Sequence, residues 1–219
     1  MPDSGIEPLS LAAQVMMGTS LAACAGLRAW LPLLAVGILA RLGFLPLNHA
    51  FAFVGSTPAL VVFGVATLVE LVGDKVIAVD HALDAASTFV RPVAGTVLAA
   101  ASLSETDPLL ATVAGLVVGG GAALTVHSGK AVVRAKSTTL AVFHGGLGNA
   151  GLSLLEDGAA MIGTGLAIAA PIVAFLGAVL LLVACVAVLY FFVKAGRHVL
   201  GLLLGKEPAA SASADSPER

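Results

Sequence analysis

The chain reads as an all-α, polytopic helical membrane protein with about seven crossings, and three observations predict it. Of its 219 residues 58% are hydrophobic and 11% are charged, against roughly 25% charged in an ordinary soluble domain. The apolar residues gather into runs close to the roughly 20 residues that a helix needs to cross a hydrocarbon core. Between those runs stand short segments rich in Pro, Gly and charge, with no room for a separate soluble domain. The 11 basic and 13 acidic residues cannot cover a water-soluble globule of this size, so lipid is the main solvent. A net charge of −2 without a long basic run leaves no footprint for nucleic acid. Cys24 and Cys185 each lie inside an apolar run, without the spacing of a disulfide framework or a zinc site, and read as small packing residues.

The elements follow in order. The opening MPDSGIEP carries Asp3 and Glu7 but no Lys or Arg, so the basic leader of a secretory signal is missing and the first apolar segment is expected to stay in the mature protein. Residues 9–27 contain no charge and form the first crossing. From Arg28 to Arg41 the apolar run is short and carries Pro32 near its start, as a short tilted span or a re-entrant half-helix would. Residues 43–56 mix Phe, Pro, Asn48 and His49 like an interfacial loop, and from Thr57 a run returns with Glu70 near its end. In residues 74–91, a helical projection places Asp74, Asp80, His81, Asp84, Ser87, Thr88 and Arg91 within an arc of about 140°, opposite Val76, Val79, Leu83, Ala86 and Val90. That is an amphipathic helix, which Pro92 is expected to end or kink. Another crossing starts after Pro108, where Gly115 and Gly119 permit close small-xxx-small packing. Residues 127–136 hold the densest basic patch, and residues 144–151 are glycine-rich enough to predict a break. Two more spans follow on either side of Pro171, the first with Glu156 and Asp157 in its opening turns. Residues 1–205 thus form one membrane domain, and residues 206–219 a polar, low-complexity tail expected to be disordered.

With the N-terminus outside, Arg28, Lys75, Arg91, Lys130, Arg134, Lys136, Lys194, Arg197, Lys206 and Arg219 fall on one side and only Arg41 on the other. The positive-inside rule therefore predicts an N-out, C-in protein of the inner membrane. Thr67-Leu68-Val69-Glu70 and Ser153-Leu154-Leu155-Glu156 share a pattern, as do Ala25-Gly26-Leu27-Arg28 and Ser128-Gly129-Lys130-Ala131. An internal duplication into residues 9–104 and 108–193 accounts for both; chance similarity in Ala-, Leu- and Gly-rich sequence is the plain alternative.

Isolated charges in hydrocarbon cost a few kcal/mol or more each, so charges within the spans should pair or line a wet cavity. Arg28, Glu70, Asp74, Lys75, Lys130, Arg134, Glu156 and Asp157 form the expected polar cluster, with Glu70 and Glu156 foremost because each lies in an otherwise apolar span. Asp80, His81, Asp84 and Arg91 form a second, acidic and histidine-bearing face. Asp80 and Asp84 share a helix side and could hold Mg²⁺ against a diphosphate or lipid headgroup; a solvated amphipathic face explains them as well. His127 and His144 read as interfacial hydrogen-bonding residues. Gly146-x-Gly148-x-x-Gly151 matches a dinucleotide fingerprint formally, but it lies between membrane segments with no βαβ unit around it. No cofactor is expected.

Taken together, Ala25-GLRAWLPLL, Glu70-LVGDK, Asp80-HALD, Arg91-PVAG, His127-SGK, Gly148-N and Ser153-LLED over about residues 10–170 resemble a bacterial integral membrane family, domain of unknown function (DUF) 4126. The resemblance implies a polytopic architecture without an assigned activity. The family pattern places proline after Gly-Asn, where this chain has Ala150, and after the Asp-Lys pair, where it has Val76 and Ile77. The functional expectation is a small carrier or channel for an ion or small polar solute, working through the paired charges. A membrane-embedded, metal-dependent enzyme on a lipid or isoprenoid diphosphate, and a non-catalytic membrane scaffold, are the alternatives. Beyond the bilayer and the solute, a second copy of the chain is the expected partner.

Overall fold

The computed structural model describes residues 9–73, 77–141 and 147–203, with side chains described for 9–73, 85–134, 151, 153–198 and 200. Among the described residues all regular structure is helical. The order is α1 (Leu11–Leu27), α2 (Trp30–Arg41), a 3₁₀ segment (His49–Gly55), α3 (Thr57–Gly73), α4 (Ile77–Ser102), α5 (Pro108–Ala114), a π-helical segment (Gly115–Gly120), α6 (Gly121–Ala141), α7 (Leu147–Ala169) and α8 (Pro171–Leu203).

α1 is the axle. Its second half is uncharged and buried all round, with Ala22, Ala23, Ala25 and Gly26 buried and the Thr19 and Ser20 hydroxyls turned back onto the helix's own Val15 and Met16 carbonyls, and α4, α6, α7 and α8 pack against it. A helix with no charged face has no side to give to a headgroup layer and belongs in the middle. α4 runs antiparallel to α1: a Cβ on Gly18 would meet Ala99 at 3.0 Å, while Arg91 reaches Gly26 at the other end. α5, the π segment and α6 form one rod that lies antiparallel to α4. The two backbones touch at glycine, since a Cβ on Gly95 would stand 2.6 Å from the Gly119 carbonyl. This is the small-xxx-small contact expected from Gly115 and Gly119, and the wide π turn falls on the same glycines.

The junction of α1 and α2 is the feature that positions the site. The helix stops at Leu27, and Arg28 is extended (φ −139°, ψ 113°) before α2 begins at Trp30. α2 then turns back. Its last residue, Arg41, donates to Thr57 Oγ1 at 2.6 Å, and the loop after it donates from Asn48 N–H to the Ala101 carbonyl at 2.9 Å, near the Gly18 end of α1. Gly43, at φ +79°, makes the turn that only glycine adopts freely. At 1.5 Å per residue, the 12 residues of α2 cover about 18 Å, short of the roughly 30 Å hydrocarbon core. The 28–42 stretch is therefore the returning half of a broken pair whose apex, Arg28, is fully buried.

Two sequence expectations are corrected. Pro92 does not end its helix, for α4 runs through it from Ile77 to Ser102. One lost backbone bond is tolerated where neighbouring helices hold the rod on both sides. The predicted break over 144–151 does not extend to Leu147–Gly151, which are the first turns of α7; helix propensity of a few glycines yields to the context around them. Two helical stretches, Pro108–Arg134 and Pro171–His198, are long and apolar enough to cross a membrane, and the 3₁₀ segment with α3, bent by 59°, counts as a third if taken as one span. These make the chain a membrane protein. α8 carries the largest apolar surface, with Ile172, Leu176, Leu180, Val183, Tyr190 and Phe191 exposed and small Ala174, Ala178 and Cys185 turned inward. The polar tail from Lys206, Asp74 and Lys75 lie outside the described residues, as do the side chains of Asp80, His81, Asp84 and Lys136.

Candidate functional site

Breaking a helix inside a protein exposes its last carbonyls and its first amides, which carry the partial charges of the helix ends. Each end is met by a charge from another helix. On the α1 side, Arg91 Nη1 donates to the Gly26 carbonyl and Lys130 Nζ to the Leu27 carbonyl, both at 3.2 Å. On the α2 side, the Ala29 and Trp30 amides donate to Glu70 Oε1 and Oε2 at 3.3 and 3.4 Å. Cations sit on the negative end and a carboxylate caps the positive one.

Around this core the remaining charges link up. Arg28 Nε stands 2.6 Å from Asp157 Oδ1, and its two terminal nitrogens donate to Ser153 Oγ at 3.0 Å and to the Glu70 carbonyl at 3.4 Å. Arg91 Nη2 pairs with Glu70 Oε1 at 3.4 Å. Lys130 Nζ and Arg134 Nη2 both stand 2.8 Å from Glu156 Oε2, and Arg134 Nε adds a bond to Oε1 at 3.3 Å. Arg91 Nη1 also lies 2.7 Å from His127 Nδ1. A guanidinium has no acceptor, so Nδ1 accepts, and the ring proton sits on Nε2, which faces Thr88 Oγ1 at 3.3 Å. Arg28, Glu70, Arg91, His127, Lys130 and Glu156 are all buried; the charges among them are tolerable there because each meets an opposite charge or a helix-end dipole.

Of the residues expected to cluster, Arg28, Glu70, Lys130, Arg134, Glu156 and Asp157 do come together. Arg91, expected on the second face, turns inward and joins Glu70, because α1 offers it the Gly26 carbonyl; the side chains of Asp80, His81 and Asp84 lie outside the described residues. His127 was read as interfacial and is instead part of the cluster. His127 and Lys130 are three residues apart and so share a face of α6, and that spacing was the one available signal for it. The Glu70 and Glu156 ends of the repeated pattern lie in one network. Among the described residues no three His, Cys, Asp or Glu side chains are grouped to hold a metal ion.

Among the described residues, clefts reach the cluster from outside. One of about 470 Å³ is lined by Trp30, Val62, Val65, Ala66, Glu70 and Ser87, among others. A second of about 250 Å³ lies against Lys130, Glu156 and Cys185, between α6 and α8. Residues 15–190 match the family described as Domain of unknown function (DUF4126). No curated protein and no solved structure matches the chain.

Proposed function

The chain belongs to the DUF4126 family, and we propose that it is a small inner-membrane carrier or channel moving an ion or small polar solute through the charges at the α1–α2 break. The observation that carries the reading is the discontinuous helix. Irregular backbone at membrane depth is tolerated only where protein or a cavity satisfies it, and in transporters such breaks point helix ends at the transported ion. Here a carboxylate already occupies the amide end and two cations the carbonyl end, and a cleft comes up to each of Glu70 and Glu156. An entering cation or proton would compete with Arg91 for Glu70, and an anion would compete with Glu156 for Lys130 and Arg134. In the orientation proposed, N-out and C-in, seven rods alternate in direction, counting α2 and taking α5 to α6 as one.

Flux in proteoliposomes tests it. Wild-type protein is expected to move at least one of a panel of small ions and polar solutes, and Glu70→Gln and Glu156→Gln are each expected to lower that flux at least tenfold. No flux of any of them by the wild type overturns the reading. Metal-dependent turnover of a lipid diphosphate, lost in Asp84→Asn, would put the enzyme in its place. Intact folding of all variants with no flux would favour the scaffold.

A further inference from the structure

The Glu70 cleft does not end at α3. A neighbouring cleft of about 390 Å³, lined by Leu33, Phe53, Phe63, Phe89, Val93 and Val97 among others, shares Trp30 and Val90 with it. Together they form a trough along the seam between α3 and α4, with the Trp30 ring packed on Phe63 at a centroid distance of 6.1 Å. α3 leans mainly on α2 and touches α4 little. The rim of the trough is exposed and apolar, with Val65 at 57%, Phe89 at 78% and Val93 at 63% exposure. A channel for water would be lined with polar groups. This trough is walled with Val and Phe and has Glu70 and Ser87 at one end.

Glu70 also specifies what can bind there. A carboxylate offers about four lone-pair positions. Oε1 accepts from Ala29 N–H and Arg91, whereas among the described residues Oε2 accepts only from Trp30 N–H. One acceptor position on a buried carboxylate therefore remains for a ligand. While Arg91 stays on Glu70, a cation could reach the carboxylate only by displacing it, and a neutral donor is the better fit for the remaining position of Oε2. Pockets of a few hundred Å³ that are mostly apolar with a few convergent polar groups are the usual form of a small-molecule site.

We propose that the α3–α4 trough binds a neutral amphiphile entering from the lipid phase, its hydroxyl donating to Glu70 Oε2 and its hydrocarbon chain lying along Trp30, Phe63 and Phe89. The inference goes beyond the transport reading and rests on the trough alone, so a failed flux experiment leaves it standing and a failed binding experiment leaves the flux result standing.

Trp30 is the sole tryptophan of the chain, so its fluorescence reports the trough directly. The full chain in phosphatidylcholine vesicles is titrated with a monoacylglycerol whose acyl chain carries two bromines, and in parallel with the methyl ester of the same brominated acid, which has no donor. Bromine quenches tryptophan at contact. The glyceride is expected to quench in a saturable manner, with half-saturation at a mole fraction at least tenfold lower than the ester. Ala66→Phe, which fills the trough from a half-exposed wall, is expected to remove the saturable part. Glu70→Gln is expected to weaken the glyceride about tenfold and leave the ester unchanged. Quenching that rises linearly and equally for both probes, unchanged in Ala66→Phe, overturns the proposal.

Discussion

Glu156 shows how the cluster balances at the scale of single residues. Its carboxylate is shared by Lys130 and Arg134, each 2.8 Å from Oε2, and removing one partner of a buried pair costs about 3–5 kcal/mol because the other charge stays buried. Replacing a whole pair by apolar groups costs far less. Glu156→Gln is therefore expected to lower the melting temperature in detergent by about 5–10 °C. Lys130→Met combined with Glu156→Leu is expected to regain at least half of that, Arg134 being only partly buried and long enough to move its head. A double variant as unstable as the single one would show that the pair does more than compensate itself. Arg28 has no such exit: it is fully buried, and its partners Asp157, Ser153 and the Glu70 carbonyl come from α7 and α3.

Among the elements, the contact between α4 and the α5–α6 rod depends on absent side chains. A Cβ on Gly119 would fall onto the Gly95 carbonyl and within 2.5 Å of Ala99 Cβ, and backbone cannot yield as a flexible side chain can. Gly119→Ala is expected to cost about 1–3 kcal/mol, read as a drop in thermal stability. Gly64, with nothing within 4 Å of its would-be Cβ, is the control. There alanine only improves helix propensity, by up to about 1 kcal/mol, so Gly64→Ala is expected to be neutral or stabilising. Equal losses at both positions would mean that glycine is needed for backbone freedom, not for close approach. The same logic makes α1 the axle, since Gly18 and Gly26 let α4 and α6 approach its backbone.

For the whole molecule, the alternation of helix directions places the start of α1, the 42–48 loop and the 103–107 turn at one end, and the Lys194 region of α8 at the other. In a background of Cys24→Ala and Cys185→Ala, Leu42→Cys and Glu105→Cys are expected to react with an impermeant thiol reagent from the same side of the membrane, and Lys194→Cys from the opposite side. Labelling of the 42 and 105 positions from different faces would mean that α3 and α4, which lie between them, do not run out and back as a pair. The basic residues Lys194 and Arg197 at the far end fit the positive-inside reading in which that end faces the cytoplasm.

Composition and apolar run length were enough to determine the helical membrane class, because a chain with 11% charge has no other solvent to fold in. Cost was enough to single out Arg28, Glu70, Lys130, Arg134, Glu156 and Asp157, because a charge in an apolar span must find a partner. Periodicity did not link Arg91 to Glu70: a helical projection tells which residues share a face but not what lies against that face, and a polar face reads as solvated until a neighbour is known. Only the tertiary structure decided that α2 folds back, that Pro92 is spanned, and that Arg91 and His127 join Glu70. The reason is physical: the groups that satisfy them are backbone carbonyls and amides at the ends of a broken helix, and backbone has no signature in the residue letters.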